Sequence, residues 1–346
     1  MKCLSPILAA GLVVISGTAF AGEQLSVVGS WSGLPLHKQY EAPFWTDKIS
    51  SASNGRITAN LTTHDQMGIK GGDVFRMLGD GIFDVGMTVA DYAVSDAPAL
   101  EGLDVPLVAT DAAAAYKMVK AARPLVDDIF RDVFKAKVLG IAPYPPQVVF
   151  CNADIKGLGD LKGKKIRASG RMTAKLLEAL GAEGVTIGFG EVPGALQRGV
   201  VDCAITGAGS GYSAGWWEVT THLMPIPLGG WDPVVTAINY EKWDSLSAED
   251  QTLLQEQVTS QLEKPAWDSA QNALQADIAC LTGEGDCAGE KRNLKLVKVS
   301  QSDLDNARDI LINQVLPAWA KRAGGNWGKR WNETVGKVTG VEIRLE

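Results

Sequence analysis

Gly159-Asp160-Leu161-Lys162-Gly163-Lys164-Lys165-Ile166-Arg167-Ala168-Ser169-Gly170 predicts a turn, then a short strand that ends at an arginine, and then the first turn of a helix. An arginine at the carboxyl end of a strand faces the free N–H groups of the helix that follows it. The helix dipole adds partial positive charge there, and the planar guanidinium matches a carboxylate or phosphate. The segment therefore predicts an anion-binding site on a fold that alternates strands and helices.

The first residues of the chain are typical of a secretory signal peptide. Lys2 supplies the charge, residues 4–15 form the apolar stretch, and Ala19-Phe20-Ala21 fits the small-residue cleavage pattern. We expect residues 1–21 to be removed and the mature chain to begin at Gly22. A membrane anchor is the alternative, but the apolar stretch is shorter than the roughly 20 residues that cross a bilayer.

Length and charge limit the possible classes of protein. A chain of 346 residues is long enough for two domains, each with its own core. The 40 acidic side chains outnumber the 33 basic ones. Because nucleic-acid phosphates require a basic surface, this balance gives no support for nucleic-acid binding.

Four cysteines remain after the predicted cleavage. Cys280 and Cys287 flank the turn-rich segment 281–286, so we expect a disulfide that contributes roughly 2–3 kcal/mol by the loop-entropy relation. Cys151 and Cys203 lie in apolar, strand-like segments, where unpaired burial is the simpler expectation. Neither the cysteines nor the histidines have the spacing of metal ligands, so the sequence predicts no metal site and no cofactor.

Strands and helices alternate along the first two thirds of the chain. The predicted strands are residues 25–28, 56–61, 83–88, 148–151, 165–167, 185–187 and 200–205, and the predicted helices are about 36–51, 71–78, 172–180 and 192–198. Pro143-Tyr144-Pro145-Pro146 interrupts the pattern and marks a crossing between domains. The pattern predicts an α/β fold with mixed sheets flanked by helices.

The last third is predicted to be mostly helical. Ser247-Ala248-Glu249-Asp250 has the composition of a helix N-cap and begins a pattern that reaches about Cys280. Pro265 is expected to kink or divide this helix. Residues 294–299 alternate as a strand, and a further helix begins at Ser302 or Asp303.

One segment favours a different class of protein. Gly211-Tyr212-Ser213-Ala214-Gly215 fits the nucleophile elbow of serine hydrolases and follows a predicted strand. Such an enzyme requires an acid and then a histidine downstream, but only His222 follows, nine residues later. An exported serine esterase that uses Ser213 is therefore an alternative function.

Ser169 belongs to the predicted anion-binding segment. It is expected to cap the helix that follows it and to leave backbone amides free for an anion.

Several segments resemble the periplasmic solute-binding proteins of tripartite ATP-independent periplasmic (TRAP) transporters, DctP type. The resemblance covers nearly the whole mature chain in order and spacing. The matching segments are Asn54-Gly55-Arg56-Ile57, Gln66-Met67-Gly68, Gly81-Ile82-Phe83-Asp84-Val85-Gly86, Leu103-Asp104-Val105-Pro106-Leu107, Asp160 to Arg167, Phe189-Gly190-Glu191-Val192 and Gly199-Val200-Val201-Asp202.

The resemblance implies two hinge-linked domains, a long helix that spans both, and a ligand cleft between them. It places residues 22–144 and about 233–265 in domain I, and residues 145–232 and about 266–335 in domain II. Arg167 is implied to grip the ligand carboxylate, and Phe189 to line the pocket. The other implied ligand-binding residues are Trp31, Tyr92, Gln147, Gly170, Thr206, Trp216 and Trp231.

The resemblance also implies the function and the partners. The protein is expected to be a periplasmic receptor that captures an organic acid and delivers it to the small and large TRAP membrane subunits, without chemistry and without a cofactor. Gln147 stands where sialic-acid binders have an arginine, which argues against that substrate. The aromatic lining favours an acid with apolar or ring surface. A ligand sensor that serves a signalling partner is a third possibility.

Overall fold

The computed structural model describes residues 22–345, so the predicted signal peptide lies outside the described residues. The strands, in chain order, are β1 (Glu23–Gly29), β2 (Ile57–Thr63), β3 (Val85–Val89), β4 (Ala136–Ala142), β5 (Gln147–Cys151), β6 (Lys165–Ala168), β7 (Glu183–Thr186), β8 (Cys203–Gly207), β9 (His222–Met224), β10 (Val234–Asn239) and β11 (Lys295–Leu296).

The α-helices of the described residues lie between and after these strands. They are α1 (Ile49–Ala52), α2 (Val74–Gly79), α3 (Ala112–Phe134), α4 (Arg171–Ala179), α5 (Val192–Gln197), α6 (Ala208–Ser213), α7 (Tyr240–Ser245), α8 (Ala248–Val258), α9 (Lys264–Thr282), α10 (Gln301–Ile310), α11 (Leu316–Ala323), α12 (Trp327–Trp331) and α13 (Lys337–Thr339). None of these helices combines the length and the apolar character that a bilayer span requires.

The first sheet has the strand order β2-β1-β3-β10-β4. Strands β1, β2 and β3 are parallel, and β10 lies antiparallel between β3 and β4. Every residue of β3 and β10 is buried, as expected for central strands with both faces covered. Strand β10 follows β9 of the second sheet, and β11 of the second sheet follows β10, so the chain crosses between the two sheets more than once.

The second sheet has the strand order β11-β9-β5-β8-β6-β7. Strand β6, from the segment that opened the sequence analysis, is parallel to β7 and β8. Strand β5 is antiparallel to β8, with Cys151 directly opposite Cys203. The two sheets confirm the prediction of an α/β fold with mixed sheets.

Two disulfides lie within residues 22–345. Cys151 is bonded to Cys203, which contradicts the expectation of unpaired burial, because the antiparallel register places their Cα atoms 4.0 Å apart. Cys280 is bonded to Cys287 across the turn-rich segment that follows α9.

A long helical segment connects the two sheets. Ser247 caps α8 by accepting a hydrogen bond from the amide of Asp250, as the sequence predicts. The π-helical turn Thr259–Glu263 joins α8 to α9 just before Pro265, whose missing N–H would interrupt a regular helix at this point. Helix α9 contacts α3 and β4 beside the first sheet and α6 beside the second, so it spans both parts of the molecule.

Three of the last four helices pack beside the first sheet. Helix α10 packs on α4, whereas α11, α12 and α13 pack around α3 and the segment Pro98–Leu103. The indole N–H groups of Trp319 and Trp331 donate to the carbonyls of Pro98 and Gly102 at 3.0 and 2.8 Å. The domain limits given above stay a prediction, and these contacts favour assigning α11–α13 to domain I.

Candidate functional site

A cleft of about 910 Å³ lies between the two sheets. Its first side is formed by residues that follow β1, β2 and β3, including Trp31, Asp65 and Tyr92. Its second side is formed by residues that follow β6 and β7, including Gly170 and Phe189. The carboxyl ends of parallel strands therefore supply both sides of the cleft, which is the usual position of a ligand site in α/β proteins.

Aromatic rings form one wall of the cleft and connect its two sides. The Trp31 ring lies 5.4 Å from the Phe189 ring, and the Trp31 indole N–H donates to the Tyr92 hydroxyl at 3.4 Å. Phe189 in turn stacks on Trp216 at 5.4 Å. The structure thus places Trp31, Tyr92 and Phe189 at the cleft, while Trp216 is buried behind Phe189.

Arg167 lies one side chain behind the cleft wall and is only 1% exposed. Its Nε donates to the Ile187 carbonyl at 2.9 Å, and its Nη1 donates to the Ile205 carbonyl at 2.7 Å. Burial lowers the pKa of Arg167, and the Tyr92 hydroxyl and the Asp232 carboxylate beside it oppose that shift. Two carbonyls therefore fix the guanidinium in place, next to a tyrosine that lines the cleft.

Three other predicted ligand-binding residues do not line the cleft. The Gln147 side chain donates to the Gly229 carbonyl at 2.5 Å and accepts from the Ser169 hydroxyl at 2.7 Å, so protein groups occupy both ends of its amide. Thr206 is buried within β8. The Trp231 indole donates to the Ala109 carbonyl at 2.9 Å within the core.

The first turn of α4 faces the cleft through Ser169, Gly170 and Arg171. Gly170 is the N-cap residue and no side chain caps the helix, so the prediction that Ser169 caps it was wrong. The Ser169 hydroxyl is instead bound to Gln147. A Cβ atom on Gly170 would lie 1.6 Å from the Asp91 Oδ2 atom, so only glycine permits this close approach between the two sides.

Sequence reasoning missed a group of three buried carboxylates: Asp91, Asp104 and Asp232. Burial raises the pKa of Asp91 well above the usual range, and the charges of Asp104 and Asp232 add to this shift. Burial and the charge of Asp232 raise the pKa of Asp104 in the same way. Burial also raises the pKa of Asp232, to about 6, and the nearby Arg167 opposes this shift.

Strand pairing explains how two of these carboxylates come together. Val89 at the end of β3 is paired with Val234 at the start of antiparallel β10. Asp91 lies two residues after Val89, and Asp232 lies two residues before Val234, so both reach the same end of the sheet. A correct prediction of the β3–β10 pair would have found this proximity.

Several charged residues lie at the more exposed part of the cleft. Lys175 is paired with Glu178 at 2.5 Å, and Asp65 accepts hydrogen bonds from the amide and the hydroxyl of Ser32. Lys70 and Arg171 also line the cleft. The cleft therefore combines aromatic rings with charges of both signs.

Residues 32–280 match the family described as DctP, bacterial extracellular solute-binding protein, family 7. The chain belongs to this family. Among its curated relatives, the 2,3-diketo-L-gulonate-binding periplasmic protein YiaO of Escherichia coli is 25% identical over 250 residues, which are 71% of this chain and 74% of YiaO. The ectoine-binding periplasmic protein TeaA of Halomonas elongata is 31% identical over 121 residues, 35% of each chain.

Solved structures share the fold of this family 7 protein. DctP6 of Bordetella pertussis, an extracytoplasmic solute receptor binding pyroglutamic acid, superposes with a TM-score of 0.78 at 22% identity, covering 91% of this chain and 99% of its own. A TRAP periplasmic solute-binding protein from Desulfovibrio salexigens with bound orotic acid gives a TM-score of 0.80 at 17% identity, covering 92% and 98%.

The esterase alternative has no support in this family 7 protein. Ser213 is the last residue of α6, whereas a nucleophile elbow places its serine on the turn directly after the strand. His222 lies in β9, where its Nδ1 contacts the Thr221 hydroxyl at 2.8 Å and its Nε2 lies 3.3 Å from Asp154. The histidine is therefore engaged with other groups.

Proposed function

We propose that this protein is the solute receptor of a TRAP transporter, which captures an organic acid in the cleft and delivers it to the membrane permease. The observation that carries the proposal is the cleft of about 910 Å³ between the two sheets, with the buried Arg167 beside it. A volume of this size suits a small organic molecule. The receptor performs no chemistry on its ligand.

The relatives support an acidic ligand. Relatives and solved structures similar to this chain include proteins described as binding 2,3-diketo-L-gulonate, pyroglutamic acid or orotic acid. Each of these compounds carries a carboxylate. The family also supports a protein that works outside the cytoplasm, which agrees with the proposed cleavage after Ala21 and a periplasmic location.

The side chains at the cleft suggest how the acid is held. Arg167 donates to two backbone carbonyls, and a guanidinium has five N–H groups, so three remain for other acceptors. A ligand carboxylate that reaches these groups forms two charge-assisted hydrogen bonds. Closure of the cleft excludes water and strengthens both bonds. Trp31, Tyr92 and Phe189 then cover the remainder of the ligand, which favours an acid with ring or apolar surface.

Native mass spectrometry of the mature protein, purified without added ligand, tests the proposal directly, because a closed receptor retains the compound that it captured. A thermal-shift panel gives the second readout, with pyroglutamate, orotate, 2,3-diketo-L-gulonate and ectoine compared with small dicarboxylates. A ligand present at one hundred times its Kd adds about 2.7 kcal/mol to the stability. We expect ring-containing acids to raise the Tm most.

Two results would reject parts of this proposal. If no acid raises the Tm and no small molecule is retained, the receptor function is wrong. If only small polar dicarboxylates raise the Tm, the preference for ring surface is wrong. Transport is separated from signalling by the neighbouring genes, since a TRAP receptor requires genes for two membrane subunits.

A further inference from the structure

Three buried carboxylates converge at the end of the first sheet that borders the cleft. Carboxylate oxygen atoms of Asp91, Asp104 and Asp232 lie within 4.8 Å of one another. We propose that these three residues bind a divalent cation, with Ca²⁺ as the best chemical match. The cluster borders the cleft, and its cation binding can be measured in the absence of an organic acid.

Unsatisfied oxygen atoms are the first argument for a cation. Asp91 Oδ1 and Asp232 Oδ1 are buried and have no hydrogen-bond partner in the described residues. The residues Asp91 and Asp232 are only 4% and 6% exposed. A buried carboxylate oxygen without a partner is costly, so native proteins pair such atoms or use them to coordinate metals.

The surrounding charges are the second argument. The charges that act on Asp91 are those of three other carboxylates: Asp104, Asp232 and Glu101. Glu101 is paired with Arg322, so it is already neutralised. Arg167 is the cation that acts on Asp232, and it supplies a single positive charge.

A charge balance selects a divalent ion over a monovalent one. Asp91, Asp104 and Asp232 carry three negative charges when they are ionised, and Arg167 offers one positive charge nearby. One divalent cation supplies the remaining two. Carboxylate oxygens are hard ligands, which favours Ca²⁺, Mg²⁺ or Mn²⁺ over softer metals.

The geometry favours Ca²⁺ within this group. Asp104 is held in place, because its two oxygens accept hydrogen bonds from the amides of Trp231 and Asp232 at 2.6 and 3.0 Å. Such a fixed ligand set cannot easily adjust to the near-ideal octahedron that Mg²⁺ demands, whereas Ca²⁺ accepts six to eight oxygens in irregular arrangements. Asp91 lines the cleft, so the cation has a route from solvent.

The test uses the mature, ligand-free protein after treatment with a chelator. Its Tm is measured against increasing CaCl₂, with MgCl₂ and with NaCl at matched ionic strength as comparisons. We expect a saturable increase with CaCl₂ that exceeds both comparisons. Tb³⁺, a luminescent substitute for Ca²⁺, should show tryptophan-sensitised emission that Ca²⁺ displaces, since Trp231 adjoins the cluster.

Matched variants assign the effect to the cluster. Asp91→Asn and Asp232→Asn keep the side-chain shape and remove one charge, and each should weaken Ca²⁺ binding at least about tenfold. Asp65→Asn is the control, because Asp65 lines the same cleft outside the cluster. It should bind Ca²⁺ as the wild type does.

Two outcomes would overturn the proposal. The first is a wild-type Tm that responds to CaCl₂ no more than to NaCl at the same ionic strength. The second is equal Ca²⁺ affinity in the wild type and in a folded Asp91→Asn or Asp232→Asn variant. In both cases the three carboxylates do not bind Ca²⁺. Because no organic acid is present, these results leave the receptor function untouched.

Discussion

Arg167 has more hydrogen-bond donors than the protein uses, and this excess leads to the first prediction. Arg167→Ala should weaken ligand binding by about 2–4 kcal/mol, because the desolvated carboxylate loses its counter-charge. Isothermal titration calorimetry with the acid identified by mass spectrometry measures the change. Arg198→Ala is the control, because Arg198 is exposed and does not line the cleft. Unchanged affinity in a folded Arg167→Ala protein would remove this residue from the site.

Gly170 gives a second prediction at the residue scale. Its backbone has a φ of −130°, which any residue adopts, so the obstacle to a side chain is the contact with Asp91. Gly170→Ala should lower the free energy of unfolding by about 1–3 kcal/mol, as overpacking does. Urea denaturation measures this loss.

Two further variants make the Gly170 prediction specific. Gly159→Ala is the matched control, since a Cβ there meets no atom within 4 Å. It should change the stability by no more than about 0.5 kcal/mol. Adding Asp91→Ala to Gly170→Ala should restore part of the lost stability. If the double variant is no more stable than Gly170→Ala alone, the contact with Asp91 is not the cause of the loss.

Single residues were predictable from the sequence where a local motif carried the information. Phe189 lies at the cleft and Arg167 directly behind it, and both belong to segments with a strong resemblance to the DctP family. The carboxylates of Asp91 and Asp232 were not predictable in this way, because 141 positions separate them in the chain and only the pairing of β3 with β10 brings them together. Their proximity therefore depends on the order of the strands in the sheet and not on a local motif.

At the scale of elements, the π-helical turn Thr259–Glu263 places a carboxylate where its charge is unfavourable. Glu263 is 6% exposed, and burial raises its pKa to about 7. Arg123, Lys120 and the Ile141 amide oppose this shift without cancelling it. The folded protein therefore keeps this side chain protonated at a pH where the unfolded chain has lost the proton.

The sign of the resulting pH dependence follows from proton binding. Between pH 4.5 and about 7 the folded state holds more protons at Glu263 than the unfolded state, so stability falls as the pH rises through this window. The loss amounts to about 3 kcal/mol at pH 8. Glu263→Gln should reduce the difference in unfolding free energy between pH 5 and pH 8 by up to this amount.

Urea denaturation at the two pH values provides the comparison. Glu256→Gln is the matched control, because Glu256 is exposed on α8 in the same helical segment. It should leave the pH dependence as in the wild type. An equal pH dependence in Glu263→Gln and in the wild type would show that Glu263 ionises normally in the folded protein.

Elements with regular patterns were predicted well, and elements defined by tertiary contacts were not. The strands around Arg167 and the cap at Ser247 follow from local composition. A strand was predicted over residues 294–299, but only Lys295–Leu296 form one in the structure. This strand pairs with the short strand β9, which limits its length. The predicted interruption at Pro265 is a π-helical turn, Thr259–Glu263, that separates α8 from α9.

At the scale of the whole molecule, the connections determine how the two sheets are held together. The chain passes between the sheets near Pro143–Pro146 and again before β10, and α9 contacts both parts. Contacts across the cleft include Trp31 against Phe189, Gly170 against Asp91, and Arg167 beside Tyr92. Such an arrangement permits a hinge motion in which the connections bend while each sheet moves as a unit.

The last prediction is that ligand binding closes this hinge. Small-angle X-ray scattering of the mature protein should show a smaller radius of gyration when the acid is added, because the ligand binds the closed state better than the open one. Arg167→Ala at the same acid concentration should keep the larger radius, since it loses the group that favours closure. An identical scattering curve with and without a saturating ligand would mean that the two sheets do not move, and that the cleft is a preformed pocket.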